Sequence, residues 1–265
     1  MNIQFSEKMP YQTILFDLDG TLIDSVQDIG DAMNHVLAAH GFPQHDEAAY
    51  RRFIGRGLKN LCLRAFPADL RALITGSPDL MQVPPERVYE EAGGADVSKS
   101  PSDLARQQAE ALWESCFQEL MAYYRSHCVI HTRLYPGIRV LLEELHKRRF
   151  QMGVISNKAD EITRPICDIL GIRPYFRQVM GHQAQLPHKP DPTAARLLLD
   201  KMDCHDRPED ILYVGDSGVD MLTAANAGFT SIGVTWGFRP RQELVDSGAR
   251  HLADTPADIL AIAMS

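Results

Sequence analysis

Long apolar runs are missing from this chain: no segment approaches the about 18 consecutive apolar residues of a membrane span, and the opening MNIQFSEKMPYQ has no signal-peptide core. A surplus of positive charge is missing as well. The net charge of -8 and pI near 5.7 argue against a nucleic-acid partner, because such binders concentrate Lys and Arg against phosphates. The one tight basic run, KRR at 147–149, falls at the end of an expected helix, where cations complement the helix dipole. Cysteine is sparse: Cys62, Cys116, Cys128, Cys167 and Cys204 are odd in number, far apart and without a CxxC pair, so neither a zinc cluster nor a dithiol redox motif is expected. These absences together lead us to expect reduced thiols, a cytoplasmic location and no membrane association.

What is present is the composition of a globular protein, 45% hydrophobic and 23% charged. The 265 residues can form one large domain or a core with a smaller companion. Short apolar runs at 13–18, 152–156, 178–181, 211–215 and 231–236 alternate with helical patterns at 137–148, 160–170, 193–203 and 218–227. Strands alternating with helices predict a parallel sheet, and runs such as QTILF, MGVIS and ILYVG, without polar alternation, predict strands covered on both faces. The alternation fails between the first two strands. There the chain reads as mostly helical, clearest at 26–40 and 103–127, so residues 25–133 are expected to be an inserted helical domain in a core made of 1–24 and 134–265. The Gly-, Pro- and acid-rich stretch at 76–103 is expected to be a long surface excursion.

Four segments carry chemistry, and each follows or flanks the carboxyl end of an expected strand. In ILFDLDGTLIDS, 14–25, Asp17 and Asp19 would face the same side if the strand continued, and such crowding needs a cation or a protonated partner. An Asp-Gly hairpin turn would explain Gly20 but not Asp17. VISNK, 154–158, ends in Ser156 and Asn157, which are either ligand donors at the sheet edge or helix caps. HKPDPT, 188–193, offers Lys189, though Asp191–Pro192 also fits an N-cap and N1 pair. YVGDSGVD, 213–220, supplies Asp216, while Ser217 and Asp220 fit a capping box that accounts for Asp220 alone.

The ordered set DxDGT, Ser-Asn, Lys-Pro and GDSxxD resembles the haloacid dehalogenase-like hydrolases over the whole chain except the interior of the insert. FDLDGTLIDS, YPGI at 135–138, SNK, KPDP and GVTWGFRP at 233–240 are similar to the phosphoglycolate phosphatase branch. The resemblance implies an α/β, Rossmann-like core with strand order 3-2-1-4-5 and a helical cap. It also implies a Mg2+-dependent phosphatase in which Asp17 is the nucleophile and Asp19 the acid and then base. Asp17, Asp19 through its backbone carbonyl, and Asp216 would hold the metal. Thr21, Ser156, Asn157 and Lys189 would bind the phosphoryl group, with Lys189 also supporting catalysis and Asp220 in a supporting role.

The expected substrate is phosphoglycolate or another small phosphorylated metabolite. Sugar or amino-sugar phosphatase, pyrophosphatase, nucleotidase and phosphomutase activities are the alternatives on the same scaffold, and a non-catalytic binder of phosphorylated ligands is the alternative from another class. Asp19 speaks against a dehalogenase, whose carbon substrate needs no such acid. The offset of Lys59 speaks against a phosphonatase. In RRFIGRGLKN, 51–60, Arg56 between two glycines is the candidate reader of a substrate carboxylate, with an ordinary helix start as the competing explanation.

Overall fold

The computed structural model describes residues 11–77 and 101–265. Most of the expected 76–103 excursion therefore lies outside the described residues. The chain forms two compact units, one made of the chain up to Ser25 with His131–Ser265 and the other of Val26–Ile130.

In the first unit the apolar runs become a six-stranded parallel sheet: β1 Thr13–Phe16, β4 Gln151–Ala159, β5 Gln178–His182, β6 Ile211–Gly215, β7 Thr230–Val234 and β8 His251–Ala253, in the order β5-β4-β1-β6-β7-β8. The expected 3-2-1-4-5 order is present, extended by β8 at one edge. All four residues of β1 are buried, as a central strand covered on both sides requires. On one face Leu15, Ile155, Met180 and Tyr213 pack with Ala195 and Leu198 of α8 (Thr193–Lys201), with Met202 that caps it, and with Ala224 and Ala227 of α9 (Gly218–Ala227). Ile14, Phe16, Leu212 and Val214 alternate with them and are buried on the other face. The connecting helix α6, Ile138–Lys147, buries Ile138, Leu141, Leu142 and Leu145, a single apolar stripe; α7 is Asp160–Ile169, α10 Arg241–Asp246 and α11 Pro256–Met264.

A two-stranded antiparallel ribbon, β2 Ile23–Asp24 with β3 Arg133–Leu134, joins the segment that leaves this unit to the one that re-enters it. Two residues per strand are too few for any periodic signal, and the ribbon was not foreseen from the sequence.

The second unit is helical: α1 Val26–Ala39, α2 Glu47–Phe53, α3 Leu58–Ala65, α4 Ala68–Thr75 and α5 Pro101–His127. Helix α5 contacts α1, α3 and α4. Gly30 of α1 leaves room for the Tyr50 ring, whose hydroxyl donates to Asn34 Oδ1 at 2.6 Å. No helix among the described residues is long and apolar enough to cross a membrane.

Candidate active site

After Phe16 the backbone does not continue as a strand. The Asp17 N–H still donates to Val214 O at 2.9 Å, but the Leu18 carbonyl then accepts from Thr21, Leu22 and Ile23, winding the chain into a tight loop with Gly20 at φ 86°. The two carboxylates thereby acquire separate cations, and Asp19 remains the last of the influences that raise Asp17.

The Asp17 carboxylate accepts from Lys189 Nζ at 2.7 Å. The same ammonium donates to Asp220 Oδ1 at 2.7 Å and to Ile155 O at 3.3 Å. Asp220 also completes the expected capping box, accepting from the Ser217 amide and hydroxyl through Oδ2. Capping alone was therefore too small a role: one oxygen caps α9 and the other holds Lys189.

Asp19 turns elsewhere, accepting from the Ser25 hydroxyl and, at 2.6 Å, from Lys158 Nζ. Lys158 is 2% exposed at its side chain, and sequence reasoning assigned it no role although it closes the SNK motif. A lysine this deeply buried requires a counter-charge, and that pairing is the signal the motif offered.

Asp216 follows β6 directly, is buried, and accepts from the Phe238 amide at 2.6 Å. A side chain at Gly20 or Gly237 would run into this carboxylate, so both glycines are required by close approach. The Trp236 indole donates to Thr21 O at 3.1 Å and ties the loop after β7 to the loop after β1. These contacts give the 233–240 segment a structural purpose that its pattern alone did not reveal.

The phosphate-binding candidates separate in the same way. Ser156 is buried and its Oγ accepts from the Lys158 amide at 3.2 Å. The Asn157 side chain clamps the lysine loop, accepting from Lys189 N at 2.8 Å and donating to Lys189 O at 3.2 Å, so only its backbone remains for a ligand. Thr21 is wholly buried with its hydroxyl unpartnered, which closes that hydroxyl to a ligand in this arrangement. Asp191 accepts from the Thr193 amide at 2.8 Å but stands one residue before the N-cap, Pro192, so the expected N-cap and N1 pair is displaced by one.

Carboxylate oxygens of Asp17, Asp216 and Asp220 lie within 4.8 Å of one another. The Asp19 side chain is not in that group, so its expected part in metal binding is confined to the backbone carbonyl. Burial, offset by Lys189 and reinforced by Asp220, pushes Asp17 up to about 7. Burial, then Asp220 and Asp17, hold Asp216 well above the usual carboxylate range. For Lys189, burial would lower the pKa, but Asp17 and Asp220 outweigh it and hold the ammonium well above its ordinary value. His188, beside this lysine, is pushed down to about 4 by burial and by the stacked His182 ring, so it adds no positive charge at neutral pH. Four buried carboxylates thus face the ammoniums of Lys158 and Lys189, and the Arg239 guanidinium offsets Asp216 only in part. Oxygen-only donors with uncompensated negative charge suit a hard divalent cation, and Mg2+ fits them.

A family model for haloacid dehalogenase-like hydrolases matches residues 14–234. The chain belongs to that family. It is 32% identical over 251 residues to the phosphoglycolate phosphatase of Vibrio vulnificus, covering 95% of both chains. It is 30% identical to phosphoglycolate phosphatase 1 of Pseudomonas aeruginosa, covering 98% of this chain and 82% of that one. Among solved structures, a predicted phosphoglycolate phosphatase from Haemophilus somnus superposes with a TM-score of 0.75 at 27% identity, covering 96% of this chain and 98% of that one.

On the helical unit, Arg56 is exposed between Gly55 and Gly57, both at positive φ. Lys59 is not free for chemistry: it pairs with Glu114 at 2.9 Å and lies over the Trp113 ring.

Proposed function

We propose that this haloacid dehalogenase-like hydrolase is a Mg2+-dependent phosphomonoesterase that forms a phospho-aspartate on Asp17 and acts on 2-phosphoglycolate or a similarly small phosphorylated metabolite. The observation that carries the reading is the Asp17 carboxylate at the end of the central strand, held by Lys189 and within 4.8 Å of the Asp216 and Asp220 carboxylates.

An Asp17 oxygen attacks phosphorus, forming the acyl-phosphate bond as the bond to the leaving oxygen breaks. Asp19 gives its proton to that oxygen, then takes one from the water that cleaves the acyl phosphate, releasing inorganic phosphate and regenerating Asp17. To carry a proton toward substrate, Asp19 must release the Lys158 and Ser25 donors that now engage it. Asp17, the Asp19 carbonyl and Asp216 would hold Mg2+, which would supply charge to offset the phosphoryl oxygens. Lys189 stabilises the same charge while keeping Asp17 oriented. Asp220 positions Lys189, and Ser156 with the Asn157 backbone receives phosphoryl oxygens.

The helical unit is the substrate-selecting cap in this reading, and Arg56 pairs with the carboxylate that distinguishes phosphoglycolate from a simple phosphate ester. None of the five cysteines is in a disulfide, which supports a cytoplasmic location in this reading.

Release of inorganic phosphate from a panel of phosphoglycolate, sugar phosphates, nucleotides and pyrophosphate, with and without Mg2+, tests this. Phosphoglycolate should give the highest kcat/KM, and Asp17→Asn should give none. Preference for another ester reassigns the substrate, and no turnover of any ester with any metal leaves a phospho-ligand binding protein.

A further inference from the structure

At the amino edge of the sheet, Phe150 immediately precedes β4, and Phe176 and Arg177 immediately precede β5. A cleft of about 450 Å³ opens there, with His146, Lys147, Arg149, Tyr175 and Arg177 around Phe150 and Phe176. Ser156 stands five residues along β4 from Gln151, which places the cleft roughly 17 Å from the catalytic edge at strand rise. It is a separate place on the same unit.

The charges in this cleft are unevenly spent. Lys147 pairs with Glu144, and Glu143 meets the Tyr175 hydroxyl at 3.5 Å. Arg177 commits an N–H to Met202 O at 3.0 Å and keeps its other donors. Among the described residues, Arg149 has only a backbone bond, to His146 O at 2.9 Å, and its exposed guanidinium has no partner. Arg149 also stands at φ 66°, the left-handed turn after helix α6 that glycine fills with least strain. Helix termination accounts for the turn, since Asp203 at φ 54° ends α8 in the same way, but it does not account for the idle guanidinium fork.

We propose that this cleft binds a nucleoside polyphosphate, with its phosphates between Arg149 and Arg177 and its base against Tyr175. The cluster of cations, in a chain of net charge -8, calls for a ligand with several negative charges close together. Arginine forks match phosphate oxygens in two parallel bonds. The half-buried Tyr175 ring, with His146 edge-on at 5.8 Å, offers a planar surface beside them. The volume falls within the range of small-molecule sites, about 300 to 1,000 Å³.

Isothermal titration of the full chain with ADP and with inorganic pyrophosphate, in EDTA so that turnover is suppressed, tests the assignment. Arg149→Gly and Arg177→Ala are the variants, with Tm and p-nitrophenyl phosphate hydrolysis in Mg2+ as controls. ADP should bind one-to-one with a Kd below about 1 mM, and more tightly than pyrophosphate. Each variant should weaken ADP at least about tenfold with hydrolysis unchanged, the loss expected for a charge-assisted contact. Arg149→Gly should also raise Tm by a few degrees, roughly, because glycine suits the turn; an arginine kept only for structure would not trade stability for binding. The proposal is overturned if ADP gives no binding at millimolar concentration, if the variants bind it as the parent does, or if ADP competes with p-nitrophenyl phosphate. Pyrophosphate binding as tightly as ADP overturns the nucleoside part. Should no ester be hydrolysed at all, the phosphatase reading falls while the titrations, with Tm as the fold control, still decide this one.

Discussion

The Lys158 ammonium lies 2.6 Å from the Asp19 carboxylate, and both side chains are nearly closed to solvent although 139 residues separate them in the chain. Neither charge is solvated, so each depends on the other. Lys158→Met leaves Asp19 buried without a cation, which typically costs about 3 to 5 kcal/mol when one member of such a pair is removed. The expected outcome is a large drop in Tm in Mg2+-free buffer and a kcat for alkyl phosphates lowered at least about tenfold, with Lys158→Arg restoring part of both. Unchanged Tm and kcat in Lys158→Met would show the pair to be incidental.

Asp19→Asn tests the acid directly. General acid-base assistance is worth roughly 100- to 10,000-fold, so kcat should fall by that order for an alkyl phosphate. The loss should be smaller for p-nitrophenyl phosphate, whose leaving group needs little protonation. Equal losses on both esters would remove Asp19 as the acid toward the leaving group and confine its contribution to the water-activating step that both esters share.

Stability should depend on pH through Asp17. Its folded-state pKa lies near 7 against an ordinary 3.8, so between those values the folded state holds a proton that the unfolded state has lost. Stability is then greatest below the unfolded value and falls as pH rises through about 7, by on the order of 1 kcal/mol per pH unit within the window. In chelated buffer, thermal melts from pH 4.5 to 7.5 should show this decline, shallower in Asp17→Asn, which has no proton to lose. An identical slope in the variant would remove Asp17 as its source.

Saturating Mg2+ should raise Tm at neutral pH in the parent and much less in Asp216→Asn, because ligand binding to the folded state alone stabilises by mass action. EDTA should abolish hydrolysis. Ca2+ should occupy the site without supporting turnover, since its larger and looser coordination misplaces nucleophile and phosphoryl group. Full hydrolysis under rigorous chelation would contradict the metal assignment.

Arg56→Ala should raise KM for phosphoglycolate and leave p-nitrophenyl phosphate hydrolysis nearly unchanged, because only the former carries a second anion. Equal effects on both substrates, or none on either, would return the choice of substrate to the metabolite panel.

Much of this was legible in sequence because its signals are local. The run at 13–18 reads as a strand buried on both faces, and the observed β1, Thr13–Phe16, ends two residues earlier. The expected helices at 160–170 and 218–227 correspond to α7, Asp160–Ile169, and α9, Gly218–Ala227. Asp17 and Asp216 could be named because each follows an apolar strand that does not require it, and Lys189, in a proline-stiffened loop, because it takes its place in the ordered motif set. The ribbon of β2 and β3 and the three-residue strand β8 could not, since two or three residues carry no period. Nor could partnership be read along the chain: that Lys189 bridges Asp17 and Asp220, that Lys158 takes Asp19, and that the Phe238 amide holds Asp216 followed only from the sheet order. That order sets β1 between β4 and β6, bringing the carboxyl ends of three strands distant in sequence within side-chain reach. Apolar periodicity reports whether a residue faces solvent or the core; which buried charge meets which is decided by tertiary packing, because an unpaired charge in the interior costs more than any local preference can repay.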